Sequence, residues 1–133
     1  MFKIKVTTGG GRPIYRQIAD QIRQGIAAGQ LQVGDGLPSV RRLSEQLVVN
    51  HNTVAKAFSE LVREGVLESR HGRGVFVATR RSPFNAAEKK RRFKDALDVF
   101  LGEVLVLNYT PEQIQQRIAA KLDSIRTSAN ADQ

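Results

Sequence analysis

Two short apolar-periodic runs separated by a three-residue break constrain this chain more than any other feature. From Ser39 to Leu47, apolar residues fall at Val40, Leu43 and Leu47, a helical spacing of three and four, with Ser39 placed to cap the first turn. After Val48, Val49 and Asn50, a second run puts Val54, Ala57, Phe58, Leu61 and Val62 on one side, while Asn52, Thr53 and Lys56 point elsewhere. The spacing predicts helix, tight turn, helix. Gly65 stands where a left-handed residue ends the second helix. Val66 to Ser69 and Val75 to Val77 then flank Arg70-His71-Gly72-Arg73-Gly74, predicting two short strands with a basic, glycine-bearing tip.

In their order, these residues carry a resemblance: Leu37-Pro38-Ser39-Val40-Arg41, Leu43-Ser44, Val49-Asn50-His51-Asn52-Thr53-Val54, Leu61-Val62-Arg63-Glu64-Gly65 and the tip His71-Gly72-Arg73-Gly74. The stretch resembles the winged helix-turn-helix domain of the GntR family of bacterial transcription regulators, and the resemblance covers about half the chain. It implies a double-stranded DNA operator as partner. The DNA-binding set it implies is Ser39, Arg41, Arg42, Asn50, His51, Asn52, Thr53 and Lys56, with His71, Gly72 and Arg73 in the wing. The chain departs from the family at Arg42, where an acid is common, and at His51, where proline is frequent.

Several of these residues have a second reading. Arg41 in the first turn opposes the positive end of the helix dipole, which costs a few tenths of a kcal/mol or more and suggests a use, although an ordinary surface arginine has the same sequence signature. The Arg42 side chain adds a phosphate contact or merely charge. Asn50 is the expected cap of the second helix, which leaves Asn52 and Thr53 to reach bases or phosphates. Lys56, one turn on, suits a phosphate, against a solvated lysine as the alternative. A bare hairpin needs glycine too, so Gly72 and Gly74 alone say little. The run Lys89-Lys90-Arg91-Arg92 reads as the solvated face of a helix start.

Charge supports the same partner. The sequence holds 21 Lys and Arg against 13 Asp and Glu, a formal charge of +8, and its isoelectric point near 10.4 suits a polyanion. Residues 1–81 carry a net +7 and residues 82–133 only +1, so the attraction sits in front. With no cysteine, and with His51 and His71 standing alone, neither a disulfide framework nor a zinc site is expected. No cofactor is expected either, and the residues name no small-molecule effector. Nothing approaches the roughly 18 apolar residues of a membrane span, and the amino terminus lacks a signal-peptide core. The expected location is cytoplasmic.

At the front, residues 2–6 alternate Phe, Lys, Ile, Lys, Val, a short strand or extended arm without an assigned role. Pro13 suits the first turn of a helix in which Ile14, Ile18, Ile22 and Ile26 recur every four residues until Gly29, and which is expected to pack behind the two central helices. Gly34 and Gly36 mark a non-helical connector. A boundary is expected at Thr79 to Pro83, dividing residues 1–81, a DNA-binding domain, from residues 82–133. No second large domain is expected within this length.

The second part reads as a helical hairpin. One helix is expected over Asn85 to Asn108, with Phe93, Leu97, Phe100, Leu101, Val104 and Leu105 at helical spacing, and another from Thr110, with Pro111 at its first position and Gln113 able to close a capping box. Ile114, Ile118, Leu122 and Ile125 form the second stripe, and Ser128 to Gln133 reads as frayed. A two-helix hairpin is too small to bury both stripes, so Phe93, Leu97, Phe100, Val104, Ile114, Ile118 and Leu122 are expected to close a homodimer. A tail of this kind resembles the short-tailed, YtrA-like branch of the family.

The expected fold class is therefore mostly α with a small β wing: a winged helix-turn-helix domain plus a C-terminal two-helix hairpin. Its expected function is a dimeric, sequence-specific repressor on an inverted-repeat operator. No acid-base pair, nucleophile triad or phosphate loop stands at usable spacing, so an enzyme is not expected. The rivals are a winged helix used purely for protein contacts, which would not need Arg41, Lys56 and Arg73 on one face, and an RNA binder, for which no aromatic stacking platform is evident.

Overall fold

The structure, a computed structural model, describes residues 2–79 and 84–131, with side chains through Arg126. In chain order the helices are α1 (Ile14–Ala27), α2 (Val40–Leu47), α3 (His51–Arg63), α4 (Ala86–Val104) and α5 (Pro111–Ala131). A two-stranded antiparallel sheet, β1 (Leu67–Arg70) and β2 (Gly74–Val77), lies between α3 and α4. The chain divides into two compact units, Met1–Arg81 and Ser82–Gln133.

The core of the first unit is built on α3, which packs against α1, α2 and β1. Val54, Ala57 and Leu61 are fully buried and Phe58 nearly so, one face of a helix at three- and four-residue spacing. Each large side chain of this kind stabilises the fold by about 1.5–3 kcal/mol relative to exposure. Ile18, Ala19 and Ile22 close the core from α1, Leu43 from α2, and Leu67 and Val77 from the sheet. Ile14 and Ile26, expected on the same stripe as Ile18 and Ile22, lie at its ends and are only partly buried.

Helix ends follow the chemistry of their caps. The Arg42 N–H donates to Ser39 Oγ at 3.0 Å, and the Asn52 N–H to Asn50 Oδ1 at 2.7 Å. Past α3, Gly65 takes φ +78° while the Gly65 and Val66 N–H groups donate back to the Val62 and Leu61 carbonyls, a Schellman closure. The end of α2 has the same backward bond, Val49 N–H to the Ser44 carbonyl, but Val48 holds the left-handed position at φ +55°. Pro13 precedes α1 in extended conformation, one residue earlier than expected for a first-turn proline.

The connector after α1 does more than span a gap. Val77 N–H donates to the Asp35 carbonyl, while Gly34 and Leu37 N–H donate to the Val77 and Val75 carbonyls, so residues 34–37 line the free edge of β2. Phe76 reaches back over Gly36, where an added Cβ would stand 3.3 Å from its ring.

Residues 2–6 form no strand; they are an extended arm held by two glutamines. Gln21 accepts from the Lys5 N–H and donates to the Lys5 carbonyl, and Gln17 does the same for Thr7. A helical turn between Gln17 and Gln21 matches the two-residue repeat of an extended chain, so the carboxamides serve as a neighbouring strand would. Phe2, Ile4 and Val6 pack inward, and the Phe2 ring lies on Gly25.

In the second unit, Asn85 caps α4 by accepting from the Glu88 N–H. The helix ends at Val104, earlier than the expected Asn108, because Leu105–Leu107 tightens into a 3-10 turn and Asn108 turns left-handed at φ +63°. Thr110 and Gln113 exchange the two bonds of a capping box. Helix α5 then runs to Ala131, through part of the segment expected to fray; Asp132 and Gln133 lie outside the described residues. So do Arg80 to Pro83, the centre of the expected boundary.

Candidate nucleic-acid interface

At its amino-terminal end, α3 presents His51 and Asn52 to solvent, with Thr53 half-buried and Lys56 exposed one turn on. Asn52 and Lys56 lie on the side of the helix away from buried Val54, Ala57, Phe58 and Leu61, Thr53 sits at the margin of that face, and His51, seven residues before Phe58, is exposed because it opens the first turn. The positive end of the α3 dipole sits at the same place and favours an anion. Asn50 has its side-chain oxygen committed to the cap, so its part in any contact is to fix where α3 begins. Ser39 does the same for α2.

Arg41 and Arg42 are both exposed at the start of α2. Arg41 Nε lies 3.3 Å from Glu45 Oε1, a pair open to water on both sides and therefore worth little, so the guanidinium can exchange that partner for a phosphate or a guanine edge. Among the described residues, Arg42 makes no ion pair.

The wing tip is narrower than its sequence suggested. Arg70 pairs with Gly74 across the sheet, leaving His71, Gly72 and Arg73 as the turn, closed by Arg73 N–H to the Arg70 carbonyl at 2.9 Å. Gly72 and Gly74 take positive φ, which explains both glycines without invoking a ligand. Arg70 lies over the Phe76 ring at 4.2 Å and bonds Glu68 at 2.9 Å, so its charge is spent within the sheet. His71 and Arg73 remain exposed without such partners among the described residues.

Tyr15, Arg16 and Arg63, to which the sequence assigns no role, border these residues. Tyr15, on the first turn of α1, has its ring 4.0 Å from Lys56 Nζ, bringing α1 to the flank of α3. A hydrogen bond to the Tyr15 hydroxyl holds the adjacent Arg16 guanidinium above its ordinary pKa. Arg63 continues the exposed side of α3 from Lys56 at helical spacing, although Glu60 lies 3.9 Å from it. The seven-residue separation of Lys56 and Arg63 was a usable signal, whereas nothing in the sequence ties Tyr15 to Lys56.

On the hairpin unit, Phe93, Leu97, Phe100, Ile118 and Leu122 are exposed and Val104 is half-buried. Phe93 is 72% exposed and Leu122 60%, values unusual for core-type side chains. Ile114 differs from the expectation: it is buried within the hairpin, lining a groove of about 320 Å³ with Phe100, Val104, Leu107, Ile118 and Leu122. Among the described residues there is no cluster of three or more metal-ligating side chains, and no helix is long and apolar enough to cross a membrane.

Comparison with known proteins places this geometry. The profile described as bacterial regulatory proteins, gntR family, matches residues 14–77, the span from α1 to the end of β2. The uncharacterized HTH-type transcriptional regulator YhcF of Bacillus subtilis (strain 168) is 36% identical over 107 residues, spanning 80% of this chain and 88% of that protein. The HTH-type transcriptional repressor YtrA of the same organism is 41% identical over 75 residues, spanning 56% of this chain and 58% of YtrA. A crystal structure of a transcriptional antiterminator from Listeria monocytogenes EGD-e superposes with a TM-score of 0.71 at 29% identity, covering 94% of this chain and 92% of that one. The relatives are regulators of transcription rather than enzymes. The chain belongs to the GntR family of bacterial regulatory proteins, as a transcription regulator with a winged helix-turn-helix DNA-binding domain.

Proposed function

We propose that this protein is a sequence-specific repressor that binds an inverted-repeat operator as a homodimer. In this reading residues 1–81 bind DNA and residues 82–133 dimerise. The observation that carries the DNA-binding half is the exposed polar side of α3, where Asn52 and Lys56 stand opposite the buried apolar face, Thr53 lies at its margin and His51 is exposed on the first turn. Arg41 and Arg42 on α2 and His71 and Arg73 on the wing add exposed cations and donors on neighbouring elements. Helix α3 enters the major groove, Asn52, Thr53 and Arg41 read base edges, and Lys56, Arg42 and the wing hold phosphates. Repression is the role carried by the name of YtrA, and occupancy of an operator is sufficient for it.

Dimerisation rests on the unpartnered faces of α4 and α5. Phe93, Leu97, Phe100, Ile118 and Leu122 leave an apolar surface that water covers unfavourably, and a two-fold partner presenting the same surface closes it. Two DNA-binding units joined this way bind two half-sites with a local concentration that a monomer lacks.

The test separates specific from non-specific contacts. Arg41→Ala weakens binding to a selected site by ~1–3 kcal/mol and relaxes base preference. Lys56→Ala and Arg73→Ala weaken all duplexes alike and each flatten the salt dependence by about one phosphate contact. Circular dichroism stays unchanged in all three. Affinity unchanged in every variant removes α2, α3 and the wing from the interface.

A further inference from the structure

Lys56 is a long, flexible side chain, and fixing a lysine costs up to about 2 kcal/mol of rotamer entropy. Here its ammonium is not adrift in solvent. Nζ lies 4.0 Å from the centroid of the Tyr15 ring, well inside the range in which a cation is attracted to an aromatic face. Among the described residues Lys56 has no carboxylate partner, so the ring is the group that fixes its position. Tyr15 is itself fixed: it occupies the first turn of α1, is half-buried and packs against the core through the same face as Ile18 and Ile22. Arg16, next in sequence, lies 5.7 Å from the same ring.

We propose that Tyr15 is a positioning residue for DNA binding: its ring holds the Lys56 ammonium at the edge of α3 before DNA arrives, and keeps it there in the complex. This rests on the reading of Lys56 as a phosphate contact. An ammonium has three N–H groups; the ring face engages one side and leaves the other side open to a phosphate oxygen. Part of the ordering cost is then met in the free protein, which raises affinity without a contact between Tyr15 and DNA. Hydroxyl chemistry plays no part in this role, because the attraction comes from the ring quadrupole.

A double-mutant cycle on the full chain tests it, with fluorescence anisotropy on a labelled mixed-sequence DNA duplex three helical turns long, at low salt. Tyr15→Phe keeps the ring under Lys56 and loses only the hydroxyl's bond to Arg16, so it binds more tightly than Tyr15→Leu. Tyr15→Leu loses about threefold to fivefold in affinity, the range of an exposed cation–π contact. In a Lys56→Ala background, Tyr15→Leu has no further effect. Should the leucine variant not fold, phenylalanines of increasing fluorination at position 15 keep ring shape while draining the quadrupole, and affinity falls in step with fluorine number. A Tyr15→Leu effect equal in both backgrounds overturns the proposal, as does affinity that is indifferent to fluorination or rises with it. If Lys56→Ala alone leaves binding unchanged, the phosphate contact itself is wrong, a different result from an additive cycle.

Discussion

Val48 closes α2 with its backbone at φ +55°, ψ +50°, the left-handed region. For an L residue that conformation costs roughly 1–2 kcal/mol, and a β-branched side chain belongs at the upper end. The residue is 89% exposed, so almost no burial offsets the strain. Asparagine tolerates the left-handed region, and glycine has no Cβ to collide. Val48→Asn should therefore stabilise the first unit by about 1 kcal/mol, which for a unit of this size raises Tm by roughly 4–8 °C. Val48→Gly gains the same relief but loses about 0.5–1 kcal/mol to the greater freedom of the unfolded chain, so its Tm should fall between the two. Thermal unfolding followed by circular dichroism reads the order directly. A Val48→Asn protein no more stable than the parent would show that the left-handed turn carries no strain and that the argument from backbone conformation fails.

Two further perturbations test other parts of the structure. Alanine in place of Gly25 would bring Cβ within 2.5 Å of the Phe2 ring. Gly25→Ala should therefore release the arm, seen as lost hydrogen-exchange protection at the Lys5 and Thr7 amides, while its better helix propensity leaves global stability within about 1 kcal/mol; retained protection would refute the contact. Glu88 is held below its ordinary carboxylate value by hydrogen bonds from Arg91 and then Arg92. A depressed pKa contributes stability above the ordinary value of 4.5 and loses it as pH falls through the folded-state value. Glu88→Gln should accordingly lower the urea midpoint near neutral pH and converge with the parent in acid; a difference that persists in acid assigns Glu88 another role.

The helices were legible because burial repeats every three to four residues: Val54, Ala57, Phe58 and Leu61 could share no face of anything but a helix. Caps were legible where a short polar side chain precedes such a run, as at Ser39, Asn50 and the Thr110–Gln113 box. The arm was not, because Gln17 and Gln21 stand in for a strand with carboxamides that leave no periodic mark in the sequence. Val48 was hidden for a related reason: a position that calls for glycine is filled by a residue that suggests a strand. In the candidate site, the exposed polar edge of α3 followed from its amphipathic pattern, whereas Tyr15 lies 41 residues before Lys56 and only the packing of α1 on α3 brings them together. Ile114 looked like part of a free stripe, but the turn at Leu105–Leu107 and Asn108 folds it into the hairpin.

In the proposed assembly two copies of this chain, joined through α4 and α5, read a symmetric site through α3. Selection from a randomised duplex library with the full chain, followed by sedimentation of the enriched duplex with protein, reads both the symmetry of the site and the number of chains on it. The expected product is an inverted repeat whose half-sites are about one helical turn apart, bound by two chains, with Leu97→Asp abolishing both the symmetry of the selected site and the second chain. A single asymmetric site bound by one chain, or no enrichment over mixed-sequence DNA, would contradict it.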